Sequence, residues 1–154
     1  APVGSMLAGT AEAIERGRLY RKRLGGAMRQ AGVLAAAGLI ALEEMPRRLS
    51  DDHDNARFLA QSIAPLPGIG LDAKKVQTNI VIFDVTGTGL TSSEFAGQCA
   101  PLGLRVSTAN PACVRMVTHR DATRSDCERA VAILQLVCAK AARDSSRQSN
   151  TVSV

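Results

Sequence analysis

The chain has 154 residues, of which 45% are hydrophobic and 21% are charged. This length and composition suit one globular domain with a stable core, and they exclude a wholly disordered chain. Aromatic residues make up only 3% and Trp is absent, which argues against nucleic-acid readers of the RRM or OB type, because those stack bases on aromatic side chains. The net charge of +5 suggests an anionic partner without establishing one.

The first part of the chain has the pattern of a short strand followed by helices. A loop rich in Pro and Gly leads into a buried strand around Val3–Ala8. Thr10 is the predicted N-cap of a helix that breaks at Gly25-Gly26. A longer helix is predicted over Met28–Met45, and Pro46 should interrupt it.

Within that longer helix, the stretch Ala31–Leu42 carries no charged residue. It is too short to span a membrane, so we expect it to be buried at a subunit or domain interface. A third helix, Arg47–Ile63, has a predicted buried face formed by Leu49, Ala56, Leu59 and Ala60.

The second part of the chain alternates short strands with helices. Four strands are predicted: Ile69–Leu71, Val76–Val85, Leu104–Ser107 and Cys113–Thr118. Capping-box spacing at Thr91…Glu94 and Thr123…Asp126 predicts two helix starts, with the last helix ending near Arg143. This order indicates an α+β fold with a small, mostly antiparallel sheet. We expect a first domain over residues 1–45, a second over 46–143 and a disordered tail over 144–154.

The cysteine and histidine content argues against a metal site. The four cysteines form no C-x-x-C pair, and there are only two histidines, His53 and His119. We expect four free thiols in a reducing compartment. The first residue is Ala, from which we expect a processed chain or a piece of a longer one.

A run of cations without any acid extends from Arg16 to Arg29. It is typical of a solvated helix face or an RNA-contacting patch. A sharper hypothesis joins it to Gly25-Gly26-Ala27-Met28-Arg29: glycines before a helix, with Arg29 on the first turn, could cradle a phosphate. Spacing alone does not decide between them.

Arg115 interrupts an apolar strand, Val114-Arg115-Met116-Val117. It either points to solvent by simple alternation, with Val114 and Met116 buried, or is held in a site to pair with an anion. His119 follows at a strand-to-helix turn, where a histidine is more often a capping or surface residue than a general base.

Several segments together resemble the low-specificity L-threonine aldolases, pyridoxal-phosphate (PLP) enzymes of the aspartate-aminotransferase fold. They occur in family order, and they are Ala1-Pro-Val-Gly-Ser5, the basic helix to Arg21-Lys22, Gly25-Gly26-Ala27-Met28-Arg29-Gln30-Ala31-Gly32-Val33-Leu34-Ala35-Ala36-Ala37-Gly38, Asp52-His53-Asp54-Asn55-Ala56, Thr78-Asn79, and Val114-Arg115-Met116-Val117-Thr118-His119-Arg120-Asp121. The segment from Met28 to Gly38 is the most specific of them. One departure is Ala27, where the family usually has a third glycine.

The resemblance implies residue roles. Arg115 matches the arginine that binds the α-carboxylate of the amino-acid substrate. Arg29 matches an arginine near the PLP phosphate, reaching it from a neighbouring subunit, and Lys22 matches a lysine at the edge of the site. No catalytic residue is expected in this chain, because the Schiff-base lysine of the family would lie just before Ala1. No metal ligand is expected either, and His119 is expected to be structural.

The resemblance also implies what the intact protein does. It would be a lyase of threonine catabolism and glycine biosynthesis that cleaves L-threonine and L-allo-threonine to glycine and an aldehyde, while this piece alone would be inactive. We expect a homotetramer, as a dimer of dimers, in the cytoplasm or in mitochondria, with no membrane contact. The alternatives are a non-catalytic assembly partner and a basic module that binds RNA or another polyanion, although nucleic acid is the less favoured partner.

Overall fold

The computed structural model describes residues 4–151, with side chains for residues 4–146. The chain divides into two compact units, Ala1–Leu49 and Ser50–Val154. The sequence put a boundary at residue 46, a few residues earlier. The family resemblance implies that the first unit is the end of a large PLP-binding domain and the second a small C-terminal domain, and this remains a prediction.

The first helix, α1 (Ala11–Arg23), begins where the sequence predicts. The N–H of Ala13 donates to Thr10 Oγ1 at 3.3 Å, which satisfies one of the free N–H groups at the helix start. The helix ends before Gly25, whose φ of +77° is the left-handed conformation that glycine adopts at low cost. The glycine pair is therefore a helix C-cap.

The second helix, α2 (Gly32–Glu43), is shorter than predicted and begins after the Met28–Gln30 segment. Its large aliphatic side chains are exposed within this chain: Val33, Leu39, Ile40 and Leu42 are 83%, 57%, 53% and 71% exposed. The expectation of burial is therefore not met by the chain itself. The strand expected around Val3–Ala8 is also absent over residues 4–8, which have no regular structure; residue 3 lies outside the described residues.

A short 3-10 turn over Met45–Arg48, with Pro46 near its start, separates α2 from α3 (Leu49–Ile63). Proline lacks an N–H and cannot continue an α-helix across this point, so the predicted interruption is confirmed. The apolar part of the buried face of α3 consists of Ala56, Leu59, Ala60 and Ile63, at 0–2% exposure. Leu49 was predicted on this face but is 46% exposed, because it lies at the first helical residue, outside the core.

The described residues form one antiparallel sheet, in which β3 (Cys113–Val117) lies between β1 (Ile80–Asp84) and β2 (Ser107–Thr108). The α+β arrangement is as predicted, but the strands are shorter than expected. The strand predicted over Val76–Val85 begins only at Ile80 and ends at Asp84, and it is preceded by a 3-10 turn over Ala73–Lys75. The strand expected at Ile69–Leu71 is reduced to a single bridge between Gly70 and Asp84.

Two further helices complete the second unit. The helix α4 (Ser92–Cys99) has the predicted capping box, since Thr91 and Glu94 bond each other's backbone N–H groups. The helix α5 (Arg124–Thr151) is capped in the same way by Thr123 and Asp126. It continues past Arg143, so the tail expected to be disordered from residue 144 is helical as far as 151. An established helix adds one hydrogen bond for each further residue, and polar residues can extend it into solvent.

The core of the second unit lies on one face of the sheet. Val81, Phe83, Val114 and Met116 alternate along β1 and β3 and are at most 9% exposed. They share one apolar cluster with buried residues of α3, α4 and α5. Phe83 and Phe95 meet edge to face with ring centroids 6.1 Å apart, a favoured aromatic geometry. The intervening strand residues face away from this core.

Candidate functional site

Arg115 projects from the face of the sheet that is opposite the core. Its neighbours in β3, Val114 and Met116, are 0% and 9% exposed, whereas Arg115 itself is exposed. Across the sheet it is paired with Ile82 on one side and Ser107 on the other. Ile82 is 47% exposed and Val117 is 40% exposed, so the guanidinium group stands on a partly apolar surface, where its interaction with an anion is stronger than in open water.

A buried hydrogen-bond cluster fixes the chain just beyond Arg115. Thr118 is 2% exposed, and its hydroxyl donates to the carbonyl of Asp52 at 2.6 Å. Asn79 donates from its side-chain amide to the carbonyl of Thr118 at 2.9 Å, and its backbone carbonyl accepts from the Thr118 N–H at 2.9 Å. Asn55 reaches the carbonyl of Ala122 at 3.2 Å.

This cluster joins three of the motifs that carried the family resemblance, which are separate in the sequence. The residues Asp52, Asn55, Asn79 and Thr118 tie α3 to the end of β3 and to the turn that follows it. Sequence reasoning found these motifs but gave Asp52, Asn55, Asn79 and Thr118 no role. Their hydrogen bonds hold the end of the strand that carries Arg115 in place. Breaking them would leave buried polar groups without partners, which costs free energy.

Arg115 lines a pocket of about 480 Å³ beside this cluster, which we name the Arg115 pocket. Its polar lining includes Arg105, Ser107, Arg115, Thr118 and His119. Apolar side chains such as Leu59 and Met116 form other parts of its wall. A concave site of this size, mostly apolar with a few polar groups, is typical of small-molecule binding sites.

The two arginines of this pocket have no counter-ion among the described residues. Neither Arg105 nor Arg115 has an ion pair or a side-chain hydrogen bond with any of the described residues. The carboxylate of Asp126, which also lines the pocket, accepts from the N–H of Thr123 at 3.0 Å and lies 3.1 Å from Arg129. The pocket is therefore suited to an anion.

His119 has the bonding of a turn residue. Its Nδ1 accepts the backbone N–H of Asp121 at 3.2 Å. The side chains of His119 and Asp121 are 60% and 86% exposed. These contacts support the expected structural role, although His119 also lines the Arg115 pocket.

Lys22 and Arg29 lie in the first unit. Lys22 belongs to the last turn of α1, and Arg29 lies in the bend before α2, so it is not on the first helical turn as expected. The N–H groups of Gly25 and Gly26 donate to carbonyls of α1 at 3.2 and 2.8 Å. Because those N–H groups are used in the C-cap, the predicted phosphate cradle is wrong in that respect. An anion bound here would depend on the cationic side chains.

Cys99 and Cys138 are poor candidates for chemistry. All four cysteines are free. Burial raises the pKa of Cys99 and of Cys138 to about 11. Both therefore remain protonated near neutral pH, whereas the thiolate is the reactive form.

In the described part of the chain, no helix is both long and apolar enough to cross a membrane.

Comparison with known proteins identifies several relatives. The chain is 38% identical over 127 residues to low-specificity L-threonine aldolase 1 of Arabidopsis thaliana, which covers 82% of this chain and 36% of the relative. It is 38% identical over 123 residues to the low specificity L-threonine aldolase of Escherichia coli K12, covering 80% and 35%. An alanine racemase of Cochliobolus carbonum is 29% identical over 119 residues, covering 73% and 31%.

The chain spans about a third of the length of these curated relatives. The family described as beta-eliminating lyase matches residues 1–86, which is more than half of the sequence. Enzymes of this family are generally PLP-dependent. The match includes the first unit and the part of the second unit that contributes α3 and β1, and so the chain belongs to the beta-eliminating lyase family.

Proposed function

We propose that the chain is part of a PLP-dependent lyase that cleaves L-threonine, L-allo-threonine and related β-hydroxy amino acids to glycine and an aldehyde. The observation that carries the proposal is the similarity to a threonine aldolase over 127 residues. That length exceeds either compact unit, so the similarity extends over parts of both. The size and lining of the Arg115 pocket support the proposal that an amino acid binds within this chain.

In this proposal, Arg115 binds the α-carboxylate of the substrate. A guanidinium group offers two parallel N–H donors that match the two oxygens of a carboxylate, so it fixes orientation as well as position. The bond to be broken, Cα–Cβ, is then held in one direction, and orientation of this kind accounts for much of the rate enhancement in enzymes. The absence of a counter-ion among the described residues leaves the fork of Arg115 available for this contact.

Arg29 would bind the phosphate group of PLP, and Lys22 would lie at the edge of the cofactor site. Both side chains are exposed, and neither has an ion pair with another described residue. A guanidinium group offers parallel N–H donors that fit a phosphate group, and an ammonium group at the edge of the site adds a positive charge. When bound, the cofactor supplies an electron sink for the electrons of the cleaved bond. The role of Arg29 at a neighbour's site requires an oligomer.

The surface of α2 supports assembly into that oligomer. Four large aliphatic side chains of this helix, Val33, Leu39, Ile40 and Leu42, are more than half exposed. Exposed apolar surface of this kind marks an interaction site in many proteins. We propose that copies of the intact protein cover it in a dimer of dimers, in the cytoplasm or alternatively in mitochondria.

The experiment uses the full-length protein that carries this sequence, loaded with PLP and given L-threonine or L-allo-threonine. We expect equal amounts of acetaldehyde and glycine, measured by coupled reduction of the aldehyde and by amino-acid chromatography. The 154-residue chain alone, which spans about a third of its relatives, should release no aldehyde under the same conditions. A loaded full-length protein that releases no aldehyde contradicts the proposal. Racemisation of alanine without aldehyde release would point instead to the activity named for the Cochliobolus relative.

A further inference from the structure

We infer that Arg105 is a second anion-binding residue of the Arg115 pocket, and that the preferred substrates carry a carboxylate on their side chain. The inference rests on the proposed function and deepens it by naming the substrate class. Its starting point is that Arg105 and Arg115 line the same pocket. Arg105 comes from the segment before β2, whereas Arg115 comes from β3.

Alternation in the segment before β2 directs Arg105 to the same side as Arg115. Leu104 and Val106 are partly buried against the core, while Arg105 and Ser107 are exposed. Ser107 is the direct cross-strand partner of Arg115. Arg105 lies two residues before Ser107, outside the two-residue strand β2. By continuing the alternation over these residues we place Arg105 diagonal to Arg115, where side chains on one face originate about 7–8 Å apart. Long arginine side chains at that separation can reach one small molecule together.

The charges of the pocket favour a dianion over a monoanion. Two guanidinium groups at this separation repel each other unless an anion lies between them. The one carboxylate among the side chains lining the pocket, that of Asp126, is already bonded to Thr123 and Arg129. The α-carboxylate of threonine can satisfy Arg115 but leaves Arg105 without a partner. A second carboxylate on the substrate side chain would satisfy it.

The simplest substrate of this class is L-3-hydroxyaspartate. Its Cα–Cβ bond would break as the β-hydroxyl loses its proton, and Cβ would become the aldehyde carbon of glyoxylate. The electron pair left on Cα would take up a proton to give glycine. No oxidant or further reactant is needed, so the reaction is the proposed retro-aldol cleavage with a different aldehyde product.

The test compares kcat/KM for L-3-hydroxyaspartate and L-threonine in the PLP-loaded full-length protein. We expect the wild type to prefer the acidic substrate. Arg105→Leu should reduce kcat/KM for that substrate by about 10- to 150-fold, the range of a charge-assisted contact, while changing the value for threonine much less. Arg105→Lys should lose part of the preference, because it keeps the charge without the fork. Arg120→Leu removes an exposed arginine that does not line the pocket, and it should leave the preference unchanged.

A binding measurement on the 154-residue chain gives a readout that does not depend on activity. Titrations with succinate and propionate, followed by NMR shifts of residues 104–119, should show tighter binding of the dicarboxylate and loss of that difference in Arg105→Leu. Cleavage of threonine without any preference for the acid, or a preference that survives Arg105→Leu, would overturn the inference and leave the proposed function standing. If neither substrate is cleaved, the proposed function fails, and the dicarboxylate titration alone decides the role of Arg105.

Discussion

Gly68 lies at a point where two loops of the second unit touch. Its φ is +80°, a conformation that L-residues with side chains rarely adopt. A Cβ at this position would lie 2.6 Å from the backbone nitrogen of Thr88 and 2.7 Å from the carbonyl carbon of Gly87. Both obstacles are backbone atoms, so they cannot move aside as a flexible side chain could. The packing of these loops therefore requires glycine.

We expect Gly68→Ala to destabilise the second unit by about 1–3 kcal/mol or more, because it adds backbone strain to the clash. Gly97→Ala is the matched control: Gly97 lies in α4 with no atom within 4 Å of an added Cβ. It should stabilise the protein by up to about 1 kcal/mol through helix propensity. Urea unfolding of both variants measures the difference, and equal midpoints would contradict this account of Gly68.

The sequence alone suggests an anion-binding role for Arg115 but gives no such indication for Arg105. An arginine in the middle of an apolar strand is visible as a break in the pattern, and the resemblance then gave it a role. Arg105 also lies in a predicted strand, but its significance depends on the pairing of Ser107 with Arg115. Register between strands distant in sequence is set by the folded sheet and the buried face, which a single sequence does not specify. The roles of Asn55, Asn79 and Thr118 were missed for the same reason.

Helix caps are the elements that the sequence predicted best. In α4 the hydroxyl and N–H of Thr91 both bond to Glu94, and in α5 Thr123 does the same with Asp126. Each box is contained within four consecutive residues, so no distant contact is needed to form it. The hydrogen bonds from Thr91 lower the pKa of Glu94, and those from Thr123 lower the pKa of Asp126.

A carboxylate whose pKa is lowered by folding stabilises the fold in its charged form. This contribution is fully present above the ordinary values of 4.5 for Glu94 and 3.8 for Asp126, and it is lost as the pH falls through the lowered values of the folded state. We therefore expect the urea midpoint to fall as the pH is reduced below about 4.5. The double variant Thr91→Ala/Thr123→Ala should be less stable at neutral pH and should show a shallower acid slope. An acid slope as steep as that of the wild type would show that these caps do not carry the effect.

The helix α2 is an element whose surroundings the sequence does not predict. Its apolar composition predicted a helix, which is confirmed, and burial, which the chain itself does not provide. Apolar composition requires a partner surface but does not identify it, because any complementary surface removes the same area from water.

We expect Ala36→Phe to change the stability of the 154-residue chain by no more than about 0.5 kcal/mol, since Ala36 is exposed there. In the full-length protein, where we propose that α2 is covered, the same change should overpack an interface and cost about 1–3 kcal/mol. It should also reduce the oligomer size in sedimentation. Ala132→Phe, at an exposed position of α5, is the control. Unchanged sedimentation and stability of the full-length Ala36→Phe protein would mean that α2 faces solvent, and the proposed shared role of Arg29 would then be wrong.

At the scale of the whole molecule, the two units make different contributions. The second unit has its own apolar core and a hydrogen-bonded cluster that fixes the end of β3, so it can present Arg115 in a defined direction. The first unit carries Lys22 and Arg29 on exposed surfaces and buries none of the residues of α1 or α2. The proposed reaction needs both, because the residue proposed to bind the carboxylate, Arg115, and those proposed to bind the cofactor, Lys22 and Arg29, belong to different units.

The measurement that tests this account most directly is kcat/KM for L-threonine in the PLP-loaded full-length protein with Arg115 replaced. Arg115→Ala should lower it by about 10- to 150-fold, the range for loss of a charge-assisted contact of about 1.5–3 kcal/mol. Arg115→Lys should also be clearly impaired, because an ammonium group cannot reproduce the two parallel donors. Arg120→Ala, which removes an exposed charge outside the pocket, should be close to wild type. A wild-type kcat/KM in Arg115→Ala would contradict the assignment of the carboxylate to Arg115.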